Sequence, residues 1–170
     1  DHDTANMAIQ AALTGHLVLS TLHTNDAPSS LTRLHDLGVQ PFLTAATILG
    51  VLAQRLVRRL CPLCKQETAI NEQEWEHLTF DYMMDMPTTM YKAVGCEACR
   101  HTGYKGRVGI YEFMPVSLEL KSIISAHGTL NNLKAQSKKE GVEPLRIAGA
   151  RKVIEGATTL EEVLRVVPLS

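Results

Sequence analysis

The stretches Cys61-Pro62-Leu63-Cys64 and Cys96-Glu97-Ala98-Cys99 contain all four cysteines of this 170-residue chain, as two C-x-x-C pairs. Each pair brings two thiolates to one ion from a tight turn, and two pairs complete the tetrahedral sulfur shell that suits Zn²⁺. The 31 residues between the pairs exceed the roughly 15 to 20 of a short zinc finger, so they are expected to form a small subdomain. Four thiolates leave no open position for a substrate, and the pattern therefore predicts a structural zinc site.

Two other interpretations of the cysteine pairs stay open. Two disulfides would need an oxidising compartment, and the N-terminal residues do not resemble a signal peptide. A thioredoxin-like redox pair would follow a strand, open a helix and occur once. Zinc binding is the interpretation that the flanking turns favour.

The composition limits the class of protein. A length of 170 residues with 45% apolar residues allows one or two domains with an ample core. The formal charge of -1 gives no general attraction for nucleic acid, and 5% aromatic residues argue against a base-stacking platform. No apolar run approaches the roughly 18 residues of a membrane-spanning helix. The first residues already resemble a helix start, so we expect the chain to be part of a longer protein.

The first 23 residues predict a buried helix and a buried strand. Asp3 or Thr4 is expected to cap a helix to Leu13 that is apolar on nearly every face and therefore buried. The continuous apolar run within residues 16–23 predicts a central parallel strand covered on both faces. Its neighbouring strands are expected upstream of Asp1.

Two helices and a short strand are predicted next. Asn25 or Asp26 is expected to cap a helix that ends at Gly38. Pro41 opens another helix, which we expect to run through Leu52 because the apolar spacing fits a helix face. Within residues 54–60, Leu56, Leu60 and the arginines begin to alternate, so a short strand is expected to lead to Cys61.

After Cys64 we expect a helix at 72–78 anchored by Trp75 and strands at 89–94 and from 108. Helices are then expected at 118–126, from Thr129 or Asn131 to 141, and at 143–154. A last helix to Val167 would be opened by a capping box of Thr158 and Glu161.

Two histidines flank the predicted strand. His23 stands at its C-terminal end, where open α/β sheets bind ligands, and can donate a hydrogen bond to a phosphate oxygen there. His16 stands at the opposite end of the strand. Both histidines are equally compatible with core or loop positions that satisfy backbone partners.

Residues 14–25 resemble the histidine box of the ATPases of type II secretion and type IV pilus assembly. Further runs that resemble these enzymes are residues 33–43, 50–58 and 159–166. The cysteine pairs and residues 103–107 resemble the tetracysteine module of the secretion and pilus-extension branch, which the retraction ATPases lack. The resemblance covers nearly the whole chain apart from residues 65–90.

The resemblance implies an α/β fold: the C-terminal portion of a RecA-like P-loop NTPase core with a tetracysteine zinc-binding subdomain and C-terminal helices. Three segments are expected on this basis. Residues 1–60 would complete the ATPase core with the histidine box, residues 61–115 would bind the metal, and residues 116–170 would form a helical subdomain.

The resemblance also implies an activity for the longer protein. Such enzymes are cytoplasmic homo-hexamers that hydrolyse ATP with Mg²⁺ to drive pseudopilus or pilus assembly. They lie peripherally at the inner membrane, held by platform proteins, and do not bind nucleic acid. Asp1 matches the aspartate just after the acidic box that carries the catalytic glutamate, and no G-x-x-x-x-G-K-[ST] sequence occurs. The chain alone is therefore expected to be inactive.

Individual residues acquire expected roles from the same resemblance. His23 would sense the γ-phosphate of ATP, and His16 would support the geometry of its loop. Arg33 matches an arginine near the nucleotide, where it would offset charge in phosphoryl transfer, although a solvated helix surface fits it as well. Arg55 would lie near the adenine or ribose or would stabilise the fold. The metal ligands carry over as Cys61, Cys64, Cys96 and Cys99.

A different class of function remains as the alternative. A zinc-ribbon adaptor that binds protein or nucleic acid would also carry two cysteine pairs. Salt-dependent DNA binding would favour that adaptor. The residues fit type II secretion and type IV pilus extension equally.

Overall fold

The structure, a computed structural model, describes residues 1–167. The helices are α1 (His2–Leu13), α2 (Ala27–Asp36), α3 (Pro41–Thr47), α4 (Glu72–Thr79), α5 (Leu118–Ser125), α6 (Leu130–Lys139), α7 (Leu145–Ile154) and α8 (Leu160–Val166). The strands are β1 (Gly50–Leu60), β2 (Gln66–Thr68), β3 (Met90–Lys92) and β4 (Tyr104–Pro115), and a 3-10 turn covers Glu97–Cys99. β1 pairs with β4, and β2 pairs with β3.

The chain forms two compact units, and each is built from two stretches of sequence. The first unit contains Asp1–Ala53 and Glu112–Glu143, and the second contains Gln54–Tyr111 and the chain from Pro144. The bounds of these units differ from those of the three predicted segments. The predicted division into segments at residues 60 and 115 stays a prediction. Residues 168–170 of the predicted third segment lie outside the described part of the chain.

Helix α1 in the first unit begins earlier and is less buried than the sequence predicts. Its N-cap is Asp1, whose carboxylate accepts a hydrogen bond from Thr4 N at 2.8 Å, so the predicted cap at Asp3 or Thr4 is wrong. Ile9 is its buried residue, whereas Met7 is 67% exposed. The prediction of burial on all faces fails because α1 packs on α3 and its remaining surface faces outward.

The predicted central strand does not form in the described chain. Residues 16–24 have no regular secondary structure, and Leu17 and Leu19 are 78% and 89% exposed. A parallel strand buried on both faces needs a neighbouring strand on each side. Within residues 1–167 the paired strands are β1 with β4 and β2 with β3, so this segment has no sheet to enter.

Helix α2 forms as predicted, and its contacts build the core of the first unit. Asp26 is its N-cap and accepts from Ser29 N at 2.8 Å, and Leu31 is fully buried. A second carboxylate lies at the same helix end, since buried Glu112 accepts from Ala27 N at 3.1 Å. Helix α6 packs on α2, and α5 packs on α3 and α6.

The third predicted helix is too long and the following strand too short. Helix α3 ends at Thr47, and β1 begins at Gly50. The residues from Ile48 to Leu52 have apolar spacing that fits a helix, but pairing with β4 selects the extended form. Along β1, Ala53 and Val57 are buried whereas Leu52 and Leu56 are exposed, which is the two-residue period of a strand.

The strands β1 and β4 are antiparallel. Beyond one end of the pair, Cys61 N donates to Gly103 O at 2.9 Å. Beyond the other end, Val116 N donates to Leu49 O at 2.9 Å. The strand predicted from residue 108 begins earlier in the structure, since β4 already starts at Tyr104.

The second unit has a core around Trp75, as the sequence predicts. The other buried residues of this cluster come from α4, β3, α7 and α8: Leu78, Met90, Ala150, Val153, Leu160 and Val163. The predicted cap of the last helix is wrong by one residue. Thr159 caps α8 by accepting from Glu162 N, whereas Thr158 Oγ1 donates to Arg58 O at 2.8 Å.

Candidate metal centre

The four cysteine sulfurs converge in the second unit. All four Sγ atoms lie within 4.8 Å of one another. The separations are 3.9 Å for Cys61 and Cys96, 3.8 Å for Cys64 and Cys99, and 3.8 Å for Cys96 and Cys99. A tetrahedral zinc site with Zn–S bonds of about 2.3 Å places its sulfurs about 3.8 Å apart. The cluster therefore has the dimensions of a closed four-thiolate zinc shell.

Local backbone structure positions each cysteine pair. Cys61 directly follows β1, and the turn after it is closed by Lys65 N donating to Cys61 O at 3.0 Å. The second pair brackets the 3-10 turn, which is closed by His101 N donating to Cys96 O at 2.8 Å. Each pair thus turns sharply enough to aim two sulfurs at one point.

Backbone N–H groups donate to the sulfurs. Gly95 N lies 3.3 Å from Cys64 Sγ, and the N atoms of Cys96 and Gly103 each lie 3.2 Å from Cys99 Sγ. Such donors stabilise a thiolate over a thiol. The two glycines have positive φ angles of 115° and 77°, a conformation that side-chain-bearing residues rarely adopt.

The thiols of the cluster differ in their pKa values. Burial opposes ionisation of Cys99, but the N–H donors of Cys96 and Gly103 outweigh it and lower the pKa of Cys99 to about 6. Burial raises the pKa of Cys64 to about 11, and the neighbouring thiols add to the rise. A divalent cation at the centre would favour ionisation of every thiol, and the bound protons would be released.

The residues predicted to act near a nucleotide lie elsewhere. His16 is exposed, and its Nδ1 atom lies 3.1 Å from Thr14 Oγ1 and 3.3 Å from Ala11 O. His23 is exposed in the segment before α2. His16 thus lies in a loop with a backbone partner, as in the alternative interpretation of the sequence. The predicted roles of both histidines near a nucleotide stay predictions.

The two predicted arginines differ in their surroundings. Arg33 is exposed on α2 in the first unit. Arg55 is half-buried on β1 in the second unit, where its Nη1 donates to Gln54 O at 3.0 Å. Neither position tests a role in nucleotide binding.

Comparison with known proteins decides the family. The family model described as "Type II/IV secretion system protein" matches residues 1–165. The chain belongs to this family.

The relatives that the chain matches are much longer than the chain. The type IV pilus assembly ATPase TfpB of Acinetobacter baylyi is 72% identical over 170 residues, which are 100% of this chain and 29% of the relative. The type II secretion system protein E of Pseudomonas aeruginosa is 48% identical over 166 residues, 98% of this chain and 32% of the relative. The chain thus spans less than a third of the length of these curated relatives.

The fold also matches a solved structure. The crystal structure of the pilus retraction motor PilT with bound ADP matches with a TM-score of 0.64 and 20% sequence identity. The match covers 99% of this chain and 37% of the PilT chain. The predicted fold class, part of a RecA-like α/β core, is confirmed by this likeness. Within residues 1–167, no helix has the combination of length and apolar character that crossing a bilayer requires.

Sequence patterns did not reveal the buried carboxylates of the chain. Glu162 and Glu112 are 1% and 3% exposed. The capping-box pattern drew attention to Glu161 instead, which is exposed. For Glu112 the available signal was the two-residue period of β4, in which Ile110 and Met114 on either side of it are also buried.

Proposed function

We propose that the chain is the C-terminal part of a cytoplasmic ATPase that powers type IV pilus assembly. The observation that carries this proposal is the 72% identity, over the whole chain, to a protein named as a type IV pilus assembly ATPase. The 48% identity to type II secretion system protein E makes secretion the second candidate.

ATP and Mg²⁺ binding would require residues outside this sequence. The 170 residues contain no G-x-x-x-x-G-K-[ST] phosphate-binding loop. We assign to this part a supporting role through His16, His23 and Arg33, with Arg55 near the base or ribose. The exposure of His23 and Arg33 supports the assignment, because a phosphate must reach these side chains.

The exposed segment 16–24 is proposed to enter the central sheet of the longer protein. Leu17 and Leu19 expose apolar side chains on a segment of strand length. The relatives have more than twice this length of additional chain, which is enough to supply the neighbouring strands. Their pairing would complete the RecA-like core.

The four cysteines are proposed to hold one structural Zn²⁺. When bound, the ion cross-links the end of β1 to the turn before β4 and offers no open position for catalysis. The sulfur separations near 3.8 Å and the N–H donors to Cys64 and Cys99 support this assignment.

The assembly and location are proposed from the family. The longer protein would form a homo-hexamer, act with inner-membrane platform proteins and associate peripherally with that membrane. These proposals follow from what the family resemblance implies, and the match of the family model to residues 1–165 supports them. No nucleic acid is expected to take part.

A chimera tests the proposed activity. The N-terminal part of the Acinetobacter baylyi relative, up to the residue that matches Asp1, is joined to this chain, and phosphate release from ATP is measured. We expect the chimera to hydrolyse ATP and the separate chain to release no phosphate. The same chimera should restore pili to cells that lack the relative. A folded chimera without ATPase activity would contradict the proposal, and an active chimera that restores secretion but not pili would favour the second candidate.

A further inference from the structure

Glu162 in the first turn of α8 has a side chain that is 0% exposed. Its carboxylate accepts hydrogen bonds from Arg58 N at 3.0 Å, Arg58 Nε at 3.0 Å and Arg58 Nη2 at 2.7 Å. Arg165 donates to it from Nε at 2.9 Å and from Nη2 at 2.7 Å. A buried carboxylate with two guanidinium partners is costly to disturb, because its loss leaves their donors unpaired.

Arg58 has further contacts that hold it in place. Its guanidinium carbon lies 4.1 Å from the centre of the Tyr104 ring. The Tyr104 hydroxyl is 2.9 Å from Thr159 Oγ1, the oxygen that caps α8. We name the set Arg58, Tyr104, Thr159 and Glu162 the α8 clamp.

The α8 clamp lies next to the cysteines in the chain. Leu60 N donates to Ala157 O at 2.8 Å, just before Cys61. Gly103, which precedes Tyr104, accepts from Cys61 N at 2.9 Å through its carbonyl and donates from its N to Cys99 Sγ at 3.2 Å. The end of β1 before Cys61 and the start of β4 beside the Cys99 sulfur are therefore the strand ends that the α8 clamp contacts.

We propose that Glu162 is a positioning residue for metal binding: through the α8 clamp it orders the ends of β1 and β4, so that the docking of α8 and the binding of Zn²⁺ are coupled. The inference rests on the zinc site proposed above. Coupling between two equilibria is reciprocal. Loss of the carboxylate therefore weakens zinc binding, and loss of zinc loosens α8.

Zinc affinity of the whole 170-residue chain tests the first half of this coupling. Glu162→Gln keeps the shape of the side chain but presents an amide group to arginine donors. Glu161→Gln, on the exposed neighbouring residue, is the matched control. In competition with a chromophoric chelator, we expect Glu162→Gln to bind Zn²⁺ several-fold to about tenfold more weakly. The loss of a direct hydrogen-bond partner of a metal ligand typically costs about 10- to 100-fold, and Glu162 acts on the cysteines less directly, through Arg58 and Tyr104. The control should equal the wild type.

Hydrogen exchange tests the second half. Amides of α8 should exchange faster after zinc is removed from the wild type, and also in zinc-loaded Glu162→Gln. Zinc-loaded Glu161→Gln should show the protection of the zinc-loaded wild type. Unchanged protection of α8 on zinc removal would overturn the coupling.

The outcomes separate this inference from the zinc proposal. If the wild type binds zinc and folded Glu162→Gln binds it equally well, the coupling is wrong and the zinc site stands. A wild type that binds no zinc overturns both. If Glu162→Gln does not fold, Tyr104→Phe decides, since it keeps the ring under Arg58 and loses only the bond to Thr159. We expect Tyr104→Phe to bind zinc several-fold more weakly, and wild-type affinity would overturn the inference.

Discussion

Gly103 takes part in the metal centre through both its N–H and its carbonyl group. Its φ angle is +77°, and a Cβ atom at this position would lie 2.6 Å from the Cβ of Ala93. Gly106 has a similar φ of +80°, but a Cβ there would have no neighbour within 4 Å. Substitution of Gly106 therefore measures the free-energy cost of the left-handed backbone conformation alone. Substitution of Gly103 measures that cost together with the cost of the steric clash with Ala93.

Gly103→Ala should lower the free energy of unfolding of the zinc-loaded chain by at least about 2 kcal/mol, because strain and a steric clash add. Gly106→Ala should cost only the strain of a left-handed residue, about 1 kcal/mol. Urea denaturation measures both. Equal losses for the two variants would show that contact with Ala93 does not matter.

Cys96→Ser should abolish stoichiometric zinc binding, because three thiolates and a hydroxyl make a much weaker ligand set for Zn²⁺. Zinc content measured by atomic absorption should fall from one ion per chain to nearly none. Ala98→Ser is the matched control, since it adds the same hydroxyl to the same turn at an exposed position and leaves every sulfur in place. Retention of one zinc by Cys96→Ser would remove this residue from the ligand set.

At the scale of elements, residues close in sequence were enough to predict some helices. Other elements depend on contacts with residues far away in the chain. Asp26 and Trp75 predicted α2 and α4 because a cap and an anchor act within a few residues. Residues 48–52 satisfied helix and strand spacing alike, and only β4, more than fifty residues later, made them extended. The three-residue strand β2 is too short to leave a periodic signal.

Asp26 makes the stability of α2 depend on pH. Burial raises the pKa of this carboxyl, but the donors of Ser29 and the ammonium of Lys134, 2.9 Å away, outweigh burial and hold it below the ordinary value of 3.8. The stabilisation is therefore present above pH 3.8 and is lost as the pH falls through the lower pKa of the folded state.

Asp26→Ala should therefore reduce the free energy of unfolding by about 1 kcal/mol at pH 7, the usual contribution of a helix N-cap. The difference from the wild type should shrink as the pH falls below 3.8. Asp36→Ala, at the C-terminal end of the same helix, should be neutral or slightly stabilising because an anion is unfavourable there. Denaturant titrations at several pH values give these differences, and a constant deficit for Asp26→Ala would contradict the ionic contribution.

The segment 16–24 should acquire strand structure when the longer protein is present. Its amides are expected to exchange with solvent rapidly in the 170-residue chain and slowly in the chimera, because sheet hydrogen bonds would protect them. Amides within α2 serve as the control, since they are bonded in the helix in both proteins. Equally rapid exchange in the chimera would exclude the proposed strand.

At the scale of the whole molecule, the sequence predicted the fold class and the convergence of the four cysteines. It could do so because ligand spacing and family motifs are local in sequence. It failed for burial, as for α1 and Leu19, because burial depends on what covers a surface. The α8 clamp was missed for a related reason, since Arg58 and Glu162 are far apart in the chain.

His23→Ala in the ATPase chimera should lower kcat by roughly a hundredfold to a thousandfold, the effect of losing one hydrogen-bond donor to charge that develops in the reaction. The melting temperature should change little, because His23 is expected at the C-terminal end of the proposed strand, where side chains face a ligand site and not the core. His77→Ala, which removes an exposed histidine of α4, is the control and should keep full activity. Full kcat for His23→Ala would end its proposed role in sensing phosphate.

The second unit is built from two stretches of sequence, Gln54–Tyr111 and the chain from Pro144, which are synthesised at different times. Because a chain emerges N-terminus first, all four cysteines leave the exit tunnel before α7 and α8 do. Trp75 and Leu78, whose cover includes Ala150 and Val153, are consequently bare on the nascent polypeptide. This interval during translation is when the protein is most exposed to aggregation and to chaperones.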